Sequence, residues 1–163
     1  WRFTVPRVRL EPQAVQAVSA EAMYAAVHRH IGRQDIFIAV AAVADYRVAD
    51  VSEGKLTKES GEVPTITLTE NPDIVAGLAS RRRPGQTIVG FAAETDNVVE
   101  YAERKLARKG CDAIIANDVS RADSGFGTDT NKAWIVSTTG TQELPVLTKP
   151  QLADTILDLL QNL

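Results

Sequence analysis

Four lysines, one acidic residue and one Asn-Pro-Asp turn are the residues of this chain whose types and spacing suit chemistry. Lys105 and Lys109 stand four apart, so on a helix they project from one face. Lys55 and Lys58 form a second pair in a long polar connection that can descend from the other side. Lysine supplies a compact charge with three donors, which suits a triphosphate. A solvated helix face explains the first pair alone. The flap lysines, Asp45 and the Asn71-Pro72-Asp73 turn at the same sheet edge favour an anion grip.

Other chemistries find less support. Tyr101-Ala-Glu-Arg-Lys105 has the Tyr-x-x-x-Lys spacing of short-chain NAD(P) dehydrogenases, one alternative reading. Such an enzyme needs a dinucleotide glycine loop, and no Gly-x-Gly-x-x-Gly, P-loop or Gly-x-Ser-x-Gly occurs in the sequence. His28 and His30 lie two apart, project in different directions and are expected to be solvated at a helix end. No metal cluster is legible and any metal ligand is unknown. Cys111 follows Gly110 at the head of an apolar run and reads as a small core residue.

These groups need elements to place them. Asp35–Val43, Thr87–Ala93 and Asp112–Ala116 are continuous apolar runs, as in strands covered on both faces of a parallel sheet. Ser19 caps a helix carrying Met23, Val27 and Ile31, and Gly32 ends it. Asn71, Pro72 and Asp73 read as cap, first position and first-turn charge of a second helix reaching Arg81-Arg82-Arg83. A third helix starts near Thr95 or Asp96 and stops at Gly110. The last opens at Pro150 with Leu152, Ile156, Leu159 and Leu160 on one side. Lys132–Val136 and Leu144–Leu147 predict a late hairpin around Thr139-Gly140.

Strands and helices in alternation predict an α/β fold, a Rossmann-like, doubly wound, mostly parallel sheet with a late β-hairpin and a long flap. Ligands in such sheets bind beyond the carboxyl ends of the strands. Here those ends are Ala44–Arg47, Glu94–Asn97 and Asn117–Val119. The connection from Tyr46 to Glu70 is too long for an ordinary βα loop and reads as a flap of about residues 46–70, with a short strand on its return.

The 163 residues make one domain, and 44% hydrophobic with 24% charged residues is ordinary globular composition. A net charge of −3 gives no basic face for nucleic acid. The longest apolar run, Ile36 to Ala44, is too short for a bilayer, and a lone cysteine suits a reducing, cytoplasmic compartment. The chain starts Trp1-Arg2-Phe3 without methionine, so further residues are expected upstream.

Six segments in order resemble one family, phosphopantothenate–cysteine ligase, usually the C-terminal part of a bifunctional bacterial coenzyme A biosynthesis protein. They are Ala41-Ala-Val-Ala-Asp-Tyr-Arg47, Lys55-Leu-Thr-Lys58, Asn71-Pro-Asp-Ile-Val75, Gly90-Phe-Ala-Ala-Glu-Thr95, Tyr101–Lys109 and Ala116-Asn-Asp-Val-Ser120. The resemblance covers roughly residues 19–163. It implies a single nucleotide-binding ligase domain over 1–163, N-terminally incomplete. The family's first strand, glycine-rich loop and phosphopantothenate-holding segment are expected upstream of Trp1.

The resemblance implies CTP-dependent ligation of 4'-phosphopantothenate with cysteine through an acyl-cytidylate, with Mg²⁺ accompanying the nucleotide. Lys55 matches the family's catalytic flap lysine. Ala39, Val40, Ala41 and Asp45 match its strand-end nucleotide site, and Pro72, Asp73, Ile74 and Val75 match the segment that reads the base. Phe91 matches an aromatic packing by the base, and Lys105 and Lys109 match the helix lysines of the site. Asn117 and Asp118 match a family motif without an assigned role. The implied partners are CTP, 4'-phosphopantothenate, cysteine, a second copy in a homodimer, and a fused or associated phosphopantothenoylcysteine decarboxylase, where any FMN would reside. A CTP-binding and dimerisation module without complete catalysis is the second reading.

Overall fold

A computed structural model describes residues 14–58, 61 and 63–160, so the Trp1-Arg2-Phe3 start lies outside the described residues. Three parallel strands form one side of a five-stranded sheet: β1 (Ile36–Ala39) at its edge, then β4 (Thr87–Glu94) and β5 (Ala113–Asp118). β7 (Ala133–Ser137) runs antiparallel beside β5, and β8 (Gly140–Glu143) antiparallel beside β7. The order is β1-β4-β5-β7-β8. The expected mostly parallel sheet is thus mixed, with a parallel core.

The flap leaves β1 and returns through a two-stranded ladder of its own, β2 (Tyr46–Val48) against β3 (Leu68–Glu70). A second short ladder joins β6 (Thr130–Asn131) to β9 (Leu147–Thr148). The helices are α1 (Ala20–His30), α2 (Ile74–Ala79), α3 (Val98–Lys109) and α4 (Lys149–Leu160).

Period-2 alternation along the central strands divides the core between the two faces. Ile88 and Ala92 of β4 and Ile114 and Ala116 of β5 pack with Ile74, Leu78, Ala102 and Leu106 of α2 and α3, and with Met23, Tyr24 and Val27 of α1. Val89 of β4, Ala113 and Ile115 of β5 and Ile135 of β7 pack on Leu152, Ile156 and Leu160 of α4. Ile88, Val89, Ile114, Ile115 and Val136 are fully buried. Each contributes about 1.5–3 kcal/mol of hydrophobic stabilisation.

Local signals explain most of the ends, and five expectations need correction. Ser19 accepts the N–H of Ala22 at 3.1 Å and caps α1. Gly32 does not stop that helix in a left-handed cap: α1 tightens into a 3-10 turn, Ile31–Arg33, that contains it. Asn71 is not the cap of α2; its side-chain amide is turned to the carbonyl of Ala44 instead. Asp73 caps instead, accepting the N–H of Ala76 at 3.0 Å, so Pro72 precedes the cap.

α2 also ends at Ala79, short of the arginine cluster. Arg82 and Arg83 leave its axis to pair with Asp112 and Asp35 at 2.8 and 2.9 Å. α3 starts at Val98, later than expected, because Asn97 turns left-handed at φ 42°. Gly110 closes it at φ 64°, its N–H bonding the carbonyl of Leu106 at 2.9 Å. In the late hairpin, β7 turns directly into β8 before Leu144, and Leu147 pairs with Asn131. Leu144 is buried, so its side chain serves the α4 face of the core.

Candidate nucleotide site

Glu94 and Asp118 end β4 and β5, Asp45 follows β1, and Asp73 stands at the start of α2. Parallel pairing sets Glu94 opposite Asp118 and Ala93 opposite Asn117, so two adjacent strands finish in acidic residues. The N–H of Val119 bonds the carbonyl of Glu94 at 2.9 Å and fixes both chains where they leave the sheet. Asp118 Oδ1 accepts the N–H of Ser120 at 3.0 Å and its hydroxyl at 2.6 Å, closing a tight turn.

Asn71 joins the two segments matched to the nucleotide site. Its backbone N–H bonds the carbonyl of Asp45 at 2.7 Å, and its Nδ2 donates to the carbonyl of Ala44 at 2.9 Å. The chain leaving β1 and the chain reaching Pro72–Val75 are therefore one unit. Ala39, Val40, Ala41 and Asp45 lie on the first segment, and Val40, Ala41 and Asp45 are exposed. The Oδ1 atoms of Asn71 and Asn117 are buried and bond no other group of the described chain.

Both helix lysines are engaged. Lys105 Nζ lies 3.3 Å from Glu94 Oε1, and Lys109 Nζ bonds Asp73 Oδ2. A lysine side chain on a helix points back along its own axis, so Lys109, near the end of α3, still reaches the start of α2. Burial raises the carboxyl of Asp73, but the bonds from Lys109 and the Ala76 N–H outweigh it and hold the group below its ordinary value.

Other expected members stand apart. Lys55 and Lys58 are exposed on the flap, away from its β2–β3 base. Phe91 packs with the α4 side of the sheet, whereas Lys105 and Lys109 belong to α3 on the other side. The Tyr101–Lys105 pair of the dehydrogenase reading is divided: Arg104 lies 4.5 Å over the Tyr101 ring, and Lys105 engages Glu94. His28 is not solvated as expected, since it bonds the carbonyl of Tyr24 through Nδ1 at 2.9 Å and stacks on the Tyr24 ring at 3.9 Å. Cys111 is buried, and burial pushes its thiol up.

Sequence reasoning gave Glu94 no partner and Asn71 the wrong one. Glu94 had a readable signal, a carboxylate ending a strand eleven positions before a helix lysine. The contacts of Asn71 had none, because its partners sit across the whole flap.

The profile of the DNA/pantothenate metabolism flavoprotein C-terminal domain family (DFP) matches residues 5–163. The chain belongs to that family. Among DFP relatives, the coenzyme A biosynthesis bifunctional protein CoaBC of Escherichia coli K12 is 44% identical over 146 residues, 88% of this chain and 36% of that protein. The Mycobacterium tuberculosis CDC 1551 protein of the same name is 37% identical over 162 residues, 91% of this chain and 38% of that protein. This chain thus spans little more than a third of these relatives' length. A crystal structure of the C-terminal domain of a CoaBC protein superposes with a TM-score of 0.70 at 38% identity, covering 90% of this chain and 65% of that one. The DFP fold and the Rossmann-like α/β sheet described above are therefore the same architecture.

Proposed function

We propose that this domain supplies the nucleotide half of a phosphopantothenate–cysteine ligase in coenzyme A biosynthesis, with CTP as the activating nucleotide. The observation that carries this reading is the bond from Lys109 to Asp73 at the start of α2, beside the Asn71 bond to the Asp45 turn, with Lys105 engaging Glu94 at the end of β4. The names of the DFP relatives support the pathway.

In the proposed reaction a carboxylate oxygen of 4'-phosphopantothenate attacks the α-phosphorus of CTP. The bond from that phosphorus to the bridging oxygen breaks, and pyrophosphate leaves with the electron pair. The cysteine amine then attacks the acyl carbon, the acyl C–O bond breaks, CMP departs, and the nitrogen loses a proton to give the amide.

The difficulty is electrostatic, because one anion must approach another of higher charge. Lys105 and Lys109 offer donors from α3, and Lys55 arrives with the flap to offset charge as it develops on the phosphates. The backbone N–H groups of Ile74 and Val75, ahead of the capped Ala76, would read a base, since the first turn of a helix leaves them without helical partners. Closing the flap also removes water that would hydrolyse the acyl-nucleotide. Among the described residues no group of three or more His, Cys, Asp or Glu could hold a metal. Mg²⁺ would arrive with the nucleotide as part of the substrate.

We also infer a homodimer in which a second copy helps complete the site. Tyr46, Leu56, Ile66 and Leu68 are all more than half exposed on the flap, and such apolar side chains would suit a protein neighbour.

The deciding experiment measures pyrophosphate release by the complete protein with CTP, phosphopantothenate and cysteine. Release should require phosphopantothenate, and amide should form only once cysteine is added. Release independent of phosphopantothenate defeats the ligase reading. Because the chain spans 36% of its E. coli relative, a second reading is a CTP-binding and dimerisation module. CTP binding by this chain without turnover supports it.

A further inference from the structure

The two lysines that the ligase reading assigns to the triphosphate are both neutralised in this structure. Lys105 is held by Glu94 at 3.3 Å, and Lys109 by Asp73. Two ammonium groups and two carboxylates cancel, so the two pairs themselves present no net charge to an incoming polyanion. Glu94 is the last residue of β4, and its carbonyl is tied to the N–H of Val119 at 2.9 Å. Its backbone is therefore anchored at the strand end, which keeps the carboxylate within reach of Lys105.

A carboxylate paired with a lysine affects a polyanion in two ways. It occupies a donor that the phosphates need, and it repels them. Both effects weaken nucleotide binding. Both also speed the departure of pyrophosphate, which is as highly charged as the triphosphate it came from.

Resting on the ligase reading, we propose that Glu94 is a positioning residue, holding Lys105 between turnovers and recapturing it as pyrophosphate leaves. Nothing in the matched motifs gives Glu94 this part. Asp73 does the same for Lys109 while also capping α2.

The test is Glu94→Gln in the complete protein. The glutamine keeps the shape and the backbone bond to Val119 and removes only the charge. The pair is partly buried, and removing its charge should tighten CTP binding by calorimetry roughly three- to fivefold. Product inhibition by pyrophosphate should tighten by a similar factor, and kcat should fall together with the KM for CTP. Glu94→Asp, which restores the charge, should return all of these toward the wild-type values. A merely structural role predicts the reverse, weaker CTP binding with a lower melting temperature.

Unchanged or weaker binding of both CTP and pyrophosphate by a normally melting Glu94→Gln protein overturns the proposal. If that variant melts early, Asp73→Asn asks the same question through Lys109, because asparagine still caps a helix. Failure of the wild-type protein to bind CTP at all would instead remove the ligase reading, and the proposal with it.

Discussion

Asn71 donates its backbone N–H to the carbonyl of Asp45 at 2.7 Å, so the two ends of a flap running from Tyr46 to Glu70 are pinned at one point. The side-chain amide adds a bond to Ala44 at 2.9 Å, and the β2–β3 ladder continues the closure outward. Arg47 braces the base further, pairing with Glu21 of α1 at 2.8 Å. Motion of the flap therefore has a fixed origin, and the exposed stretch carrying Lys55 and Lys58 moves about it.

Asn71→Ala should loosen that origin without unfolding the domain. The backbone bond to Asp45 survives, and the lost side-chain bond is worth about 1 kcal/mol. The melting temperature should drop by a few degrees, roughly 2–4 °C for a domain of this size. Limited proteolysis should cut the flap faster, and CTP affinity should weaken more than stability does. Equal losses in both would show that Asn71 acts only on the fold.

Lys55→Ala should separate chemistry from structure. Lys55 is exposed and lies outside any helix or strand, so the melting temperature should not change. Pyrophosphate release by the complete protein should slow on the order of 10²–10³-fold, as when one preorganised charge or donor is removed from a transition state. Normal turnover would mean that the flap lysine has no part in activation.

Gly90→Ala tests packing beneath the site. A Cβ at Gly90 would lie 2.7 Å from Ile114 Cδ1, and Ile114 is 1% exposed, so the isoleucine must rotate inside a filled core. Overpacking of this kind costs about 1–3 kcal/mol. Denaturant midpoints should fall accordingly, with the m-value unchanged. A larger hydrophobe there should not fold. A neutral Gly90→Ala would show that Ile114 has another rotamer available.

The sequence made the sheet legible because its central strands are apolar on both faces and its helices carry one apolar stripe each. Ile88–Val89 and Ile114–Ile115 place neighbouring side chains on opposite faces, and both faces are filled. Nothing comparable marks β1 beyond Ala39. Its apolar run continues to Ala44, yet the chain leaves the sheet to meet Asn71, a partner distant in sequence. The same physics moved the cap of α2. An Asn-Pro-Asp triplet offers two capping side chains, and which one caps depends on whether the other is wanted elsewhere. The lysines at 105 and 109 were legible as a pair by spacing, whereas the carboxylates that restrain them come from β4 and from the chain before α2. Composition cannot show such pairing, since it depends on where two separate segments end.

Asp73 links stability to pH in a direction that can be worked out. Its carboxyl is held below its ordinary value, with burial opposing and the bonds from Lys109 and the Ala76 N–H prevailing. A depressed folded-state value means that the charged form is favoured by folding. The stabilisation is then complete above the unfolded carboxylate value of about 4 and is lost as pH falls through the folded one. At neutral pH, Asp73→Ala should destabilise by about 1 kcal/mol from the lost cap, with a further contribution of up to about 1 kcal/mol from the exposed pair with Lys109. Asp73→Asn should recover the first part and not the second. Urea melts of the three proteins at pH 7 and at pH 3 check both statements. The gap between wild type and Asp73→Asn should narrow at the lower pH, because protonation removes the charge that distinguishes them. A gap that widens in acid would mean that Lys109 is not the partner that sets this carboxylate, and that the start of α2 and the end of α3 are not coupled through it.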